Sequence, residues 1–237
     1  MKLTAPIHHL KRKAKLLARS SGIPLHSALD SIAAKEGFRN WSMLAAKVGR
    51  TMDPRQILAR LDHGDLVLLG ARPGHGKTRL GLELAAEAAR SGRRAVFFTL
   101  EYSRKDIADH LGVIGVKPEA LGGRLAFDVS DGISADHIVQ ALPDAKPGTF
   151  AVIDYLQILD QRREKADLDS QVKALKAFAA PRGITLVFLS QIDRSYDPVR
   201  KPCPDLDDVR LPNPLDLALF DKACFLNAGT MRLVEAA

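Results

Sequence analysis

Gly76-Lys77-Thr78 follows Ala71-Arg72-Pro73-Gly74-His75, so a lysine and a hydroxyl stand directly behind a glycine-bearing turn. This is the layout of a Walker A phosphate cradle. Backbone N–H groups ring the phosphates, Lys77 supplies a point charge to the β- and γ-phosphates, and Thr78 offers oxygen to Mg²⁺. Ala71 stands where the strict signature has glycine. Short motifs arise by chance, but the flanks argue against chance here. The apolar run Leu66–Gly70 reads as a buried strand, and Lys77–Arg90 as a helix with Leu80, Leu84 and Ala88 on one face. The helix adds its positive dipole end to the same anion. A nucleoside triphosphate, ATP in the first instance, is the ligand expected. His75 reads as a spacer within the turn.

A phosphate cradle alone does not hydrolyse anything, because the chemistry is positioning plus charge stabilisation. Three further residues fall at strand ends, where ligands collect in open α/β sheets. Phe150-Ala-Val-Ile-Asp154 is an apolar run ending in a carboxylate, placed to hold Mg²⁺ through its water shell. Glu101 closes Val96-Phe-Phe-Thr-Leu-Glu101 and is positioned to orient and deprotonate an attacking water. Gln191 ends the run from Ile184, a neutral donor able to touch a γ-phosphate. Acidic residues after strands often serve only as helix caps. Three such ends behind one cradle favour catalysis.

The elements that must position these residues alternate. Strands are expected at Leu66–Gly70, Ala95–Leu100, Arg124–Val129, Phe150–Asp154, Ile184–Ser190 and Lys222–Asn227, with a short closing strand at Met231–Val234. Helices are expected at Lys77–Arg90, Arg104–Leu111, Ser134–Leu142 and Asp169–Ala180. Alternation of this kind implies an α/β fold with a mainly parallel sheet and crossover helices. Residues 196–214, rich in proline, read as a mobile loop or one ordered on binding. Ahead of the body, short helices fit residues 5–61: one from Ile7 stopped by Gly22, one capped by Ser27, one capped by Asn40 around a core Trp41, and one from Asp53-Pro54 through Leu61. Two domains are therefore expected, 1–61 and 62–237.

Charge separates the same two parts. Residues 1–60 hold 12 Lys/Arg against 3 Asp/Glu, and the remaining 177 hold 23 against 25. The overall charge of +7 thus belongs to the N-terminal quarter, which suggests a nucleic acid or an acidic protein surface as its partner, or merely a solubilising face. No apolar run is long enough for a membrane span and the N-terminus lacks a secretory core, so a cytoplasmic protein is expected. Cys203 and Cys224 have neither metal-ligand nor redox spacing.

The segments Gly70–Thr78, Phe98-Thr-Leu-Glu101, Ile153-Asp-Tyr-Leu-Gln157 and Ser190-Gln-Ile-Asp-Arg194 resemble, in order, the motifs of the RecA-type ATPase domain of DnaB-like replicative helicases. The alanine at position 71 is itself a habit of that family. The resemblance covers about residues 60–234 and implies a RecA-like P-loop ATPase core, ATP and Mg²⁺, and a homo-oligomeric ring threaded by single-stranded DNA in replication or plasmid maintenance. It assigns Lys77, Thr78, Glu101, Asp154 and Gln191 to the roles argued above. It also implies strand-binding loops after the Asp154 and Gln191 strands, making Arg162, Arg163, Lys165, Arg194, Arg200 and Lys201 the candidates for DNA contact, with Tyr196 the aromatic available for stacking. One departure stands out. Family members carry a late Lys-x-Arg strand that reaches the neighbour's ATP site, whereas here Asn227 runs at once into Ala228-Gly-Thr-Met-Arg-Leu-Val234. Arg232 or Arg194 would have to substitute. The alternative reading is a nucleotide-gated DNA- or protein-binding regulatory module that does not translocate.

Overall fold

A computed structural model describes residues 4–5, 7–41, 43–44, 53–160, 166–198, 200–201, 203–211, 213–227 and 230–236. The chain divides into two compact units, residues 1–52 with 227–231 and residues 53–226 with 232–237. The division falls nine residues before the boundary expected from the sequence. Helix α3 (Pro54–Leu58) therefore goes with the larger unit, where Ile57, Leu58 and Leu61 are buried.

In the small unit, α1 (Ile7–Ser21) and α2 (Leu25–Lys35) enclose Leu10, Ala14, Ala28, Ile32, Ala33 and Leu44, with Trp41 packed against them as a core residue. Gly22, at φ 63°, ends α1 as expected. Asn40 accepts from the Met43 N–H at 2.9 Å, so it does cap the next turn. Ser27 does not cap α2. Pro24 stands at the N-cap with an extended ψ of 144°, and its carbonyl already takes the Ala28 N–H at 3.1 Å, which puts Ser27 inside the first turn.

The strands of the chain are β1 (Leu66–Ala71), β2 (Ala95–Thr99), β3 (Leu125–Asp128), β4 (Phe150–Asp154), β5 (Thr185–Gln191), β6 (Lys222–Asn227) and β7 (Thr230–Glu235). They lie in one sheet in the order β3-β2-β4-β5-β1-β6-β7, and the pairings from β3 to β6 are all parallel. Helices α4 (Lys77–Arg90), α5 (Arg104–Val113), α6 (Ala135–Ala141) and α7 (Leu168–Ala179) supply the crossovers. Strands buried on both faces must be apolar throughout, and β1, β2 and β4 are buried at every position. Phe97, Phe98, Phe150, Phe188, Phe220 and Phe225 are fully buried, each contributing about 1.5–3 kcal/mol relative to exposure. Helix α4 is buried on more than the single face its spacing suggests, with Leu80 to Ala86 all enclosed. Gly81 permits this closeness, since a Cβ there would lie 3.1 Å from Leu189 and Val152 side chains.

The described residues of the proline-rich span after β5 are packed onto the body rather than extended into solvent. Tyr196, Cys203, Val209 and Leu215 are buried in the main core, and Ile192 bridges Val209. Burial of these side chains, not the proline content, decides its order.

Candidate nucleotide and metal site

Register brings the chemistry together. Thr99 of β2 pairs with Asp154 of β4, Asp154 with Leu189 of β5, and Gln191 of β5 with Ala71 of β1. Four neighbouring strands thus end along one edge, with β5 between the cradle strand and the Asp154 strand. Parallel pairing forces this arrangement, because every strand then delivers its C-terminal residues to the same edge.

The turn from Arg72 to Gly76 is closed by the His75 N–H donating to the Arg72 carbonyl at 3.1 Å. Gly74 and Gly76 take φ of 75° and 89°, and a Cβ at either would meet nothing within 4 Å. Helix α4 starts at Lys77 with Gly76 as an N-cap that offers no side-chain hydrogen bond. Its first-turn N–H groups lack intrahelical partners by construction, which suits an incoming anion.

Lys77 Nζ lies 3.7 Å from Asp154 Oδ1 and 5.7 Å from the Tyr155 ring centroid. Asp154 is fully buried, and neither carboxylate oxygen has a hydrogen-bond partner. Burial raises its pKa above the ordinary carboxylate value, Lys77 opposes that rise, and the nearby negative charge of Glu101 adds to it. Thr78, also buried, is its other neighbour. Two orphaned carboxylate oxygens beside a buried hydroxyl form an all-oxygen donor set of the kind a hard divalent ion takes. The residues present fit Mg²⁺.

Glu101 is exposed two residues past β2, its N–H donating to Thr99 Oγ1 at 3.1 Å. Gln191 is half-buried at the end of β5. Arg162, Arg163 and Lys165 lie outside the described residues. Of the second loop's candidates, Arg194 is exposed and Arg200 is exposed beside Asp197 at 3.7 Å. Lys201 is committed elsewhere, pairing with Asp205 and, at 2.8 Å, with Asp208. Tyr196 is buried, and its hydroxyl donates to the Lys201 carbonyl at 2.7 Å. Its ring is no stacking platform in this structure, because the loop folds over it.

Sequence reasoning missed two side chains at this edge. Gln157 Nε2 donates to the Arg210 carbonyl at 2.9 Å, and Arg210 Nη1 donates to Gln191 Oε1 at 3.3 Å. Gln157 was within reach, three residues past Asp154. Nothing in the local pattern points to Arg210.

Residues 50–115 match the family model described as DnaB-like helicase C terminal domain. The chain is similar to the DnaB-like helicases. It is 26% identical over 214 residues to the replicative DNA helicase DnaB of Leifsonia xyli subsp. xyli, covering 77% of this chain and 46% of that one. It is 27% identical over 183 residues to a probable plasmid replicative DNA helicase of Chlamydia muridarum, covering 63% and 40%. The chain thus spans less than half the length of these curated relatives. Among solved structures, one described as an ATPase domain superposes with a TM-score of 0.57 at 19% identity, over 78% of this chain and 79% of that one. A DnaB-like replicative helicase, described with its interactions with primase, gives 0.57 at 17% identity over 92% and 66%. A KaiC-like protein from Pyrococcus horikoshii gives 0.51 at 18% over 68% and 70%. These likenesses show the fold: a mostly parallel sheet flanked by helices, of the RecA-like P-loop type. Among the described residues, no helix is long and apolar enough to cross a membrane.

Proposed function

We propose that this chain binds ATP with Mg²⁺ and hydrolyses it, as a DnaB-type ATPase acting on single-stranded DNA in replication or plasmid maintenance, in the cytoplasm and within a homo-oligomeric ring. The ATPase domain, expected over 62–237, would begin at Asp53, the cap of α3, and the basic residues ahead of it would be a separate domain facing nucleic acid or a protein. The observation that carries the reading is Asp154: a fully buried carboxylate facing the Lys77 ammonium at 3.7 Å, its oxygens otherwise short of hydrogen-bond partners, at a helix start with no side-chain cap.

Backbone N–H groups across Ala71, Arg72, Pro73 (which has none), Gly74, His75, Gly76, Lys77 and Thr78 hold the phosphates, and the Lys77 ammonium binds the β- and γ-oxygens. When bound, the divalent ion neutralises phosphate charge, with the Thr78 hydroxyl and, through water, Asp154 to hold it. Glu101 orients the attacking water and takes its proton as oxygen attacks the γ-phosphorus and the bond to the β-phosphate oxygen breaks. Gln191 donates to the γ-phosphate and loses that partner when the phosphate leaves. Arg162, Arg163, Lys165, Arg194 and Arg200 would contact the DNA backbone. Lys201 could join them only by giving up Asp205 and Asp208.

That last point supports a second reading, a nucleotide-gated module that binds DNA or a protein without translocating. A loop whose tyrosine is buried and whose lysine is paired offers little of the stacking and charge that single-strand tracking uses. ATP hydrolysis measured with Mg²⁺, with EDTA, and with added single-stranded DNA separates the two. The leading reading expects Mg²⁺-dependent turnover that DNA stimulates, and light scattering that shows a ring with ATP. Turnover indifferent to DNA, from a monomer, would favour the module. Lys77→Ala should abolish ATP binding, and unaltered calorimetric binding by that variant would sink both.

A further inference from the structure

Gln191 is gripped from the far end of the loop that leaves it. Arg210, exposed and 19 residues downstream, donates from Nη1 to Gln191 Oε1 at 3.3 Å, and its backbone N–H donates to the Gln191 carbonyl at 2.8 Å. The Arg210 carbonyl accepts from Gln157 Nε2 at 2.9 Å, three residues past Asp154. Ile192 N–H donates to the Ala71 carbonyl at 3.1 Å, and Asp193 N–H to the Asp208 carbonyl at 2.7 Å. Arg210 therefore stands where three lines meet: the cradle through β5, the Asp154 strand through Gln157, and both ends of the loop 193–209. Its charge also reaches Asp193, whose carboxyl is held low by the Ser195 N–H and hydroxyl first and by Arg210 as well.

A glutamine amide has one acceptor end and one donor end. Its terminal torsion is broad, so an unheld amide turns readily. With Oε1 taken by a guanidinium, Nε2 is the end presented to an anion. We infer that Arg210 is a positioning residue: it fixes the Gln191 amide so that its donor end meets a terminal phosphate, making the distinction between nucleoside triphosphate and diphosphate depend on the state of loop 193–209. The inference rests on the ATP site proposed above.

The test is calorimetry on the full chain with Mg²⁺, titrating ADP and the non-hydrolysable triphosphate AMP-PNP. Wild type should prefer AMP-PNP. Arg210→Ala should lose about ten- to a hundred-fold in AMP-PNP affinity, the worth of one charge-assisted hydrogen bond, with ADP affinity unchanged. Arg210→Lys, which keeps a donor, should recover part of the preference. Gln191→Ala should match Arg210→Ala, and the double variant should be no weaker than either, because the two act as one unit. Without nucleotide, the Gln191 side-chain amide resonances should shift in Arg210→Ala. Losses that add, an ADP affinity that falls in step, or a wild type indifferent to the terminal phosphate would overturn the inference. A Lys77→Ala variant that binds both nucleotides normally would instead overturn the site itself, so the two failures can be told apart.

Discussion

At the scale of single residues, Asp154 sets the terms. A carboxylate with no exposed surface and too few hydrogen-bond donors favours keeping its proton or finding a cation. Lys77 at 3.7 Å meets part of that need. Because the folded pKa is raised, the nucleotide-free protein loses stability as pH climbs from the ordinary carboxylate range through the folded value, and the loss levels off above it. Asp154→Asn removes the buried charge. The variant without nucleotide should melt higher at neutral pH, by ~2–4 °C for each kcal/mol relieved, while its Mg²⁺-dependent ATP binding fails. A lower melting temperature would mean that the Lys77 attraction outweighs burial. Glu101 makes the opposite case, exposed and with a role only in the reaction. Glu101→Gln should bind ATP normally and lose turnover by about 10²–10⁴, and normal hydrolysis by it would show that another group takes the proton.

At the scale of elements, the cradle is a turn that must deliver a helix start to the strand edge. Gly76 does this at φ 89°, in the left-handed region, with open space where a Cβ would go. Gly76→Ala therefore costs backbone energy alone, about 1–2 kcal/mol. Urea unfolding should show a lower midpoint with an unchanged slope, and a midpoint equal to wild type would mean that the turn relaxes into another conformation. Strand ends and α4 were legible in the sequence for a physical reason. Buried parallel strands must be continuous apolar runs, so the first polar residue after each run marks the edge where ligands gather. Gly76-Lys77 marks the helix start to the residue. The loop after β5 was not legible in that way. Tyr196 looks like an exposed aromatic among cations, yet the return of the chain at Val209 buries it and hands its hydroxyl to Lys201. Arg210 has no local signature, because its bond to Gln191 is created by that same return.

At the scale of the whole molecule, charge is divided as the fold is. The body is close to neutral, and the excess of cations over anions lies in residues 1–60. On α1, Leu10 and Ala14 face the small core, while Lys11, Arg12, Lys15 and Arg19 are exposed, the three- and four-residue steps from Lys11 and Arg12 to Lys15 and from Lys15 to Arg19 keeping them on one side of the helix. No acidic residue lies in the first turn to offset them. If this face binds nucleic acid, the binding is to phosphates and must show it through salt. Reversing Lys11, Arg12, Lys15 and Arg19 to glutamate would remove four phosphate contacts, and on single-stranded DNA the log–log salt slope should flatten by about 3, at ~0.7 per contact. The core residues are untouched, so circular dichroism should be unchanged and ATP affinity should hold. Fluorescence anisotropy over a salt series reads the slope directly. An unchanged slope with unchanged affinity would reduce the basic face to a means of staying in solution. It would also leave loop 193–209 and the residues after Asp154 as the remaining candidates for DNA contact.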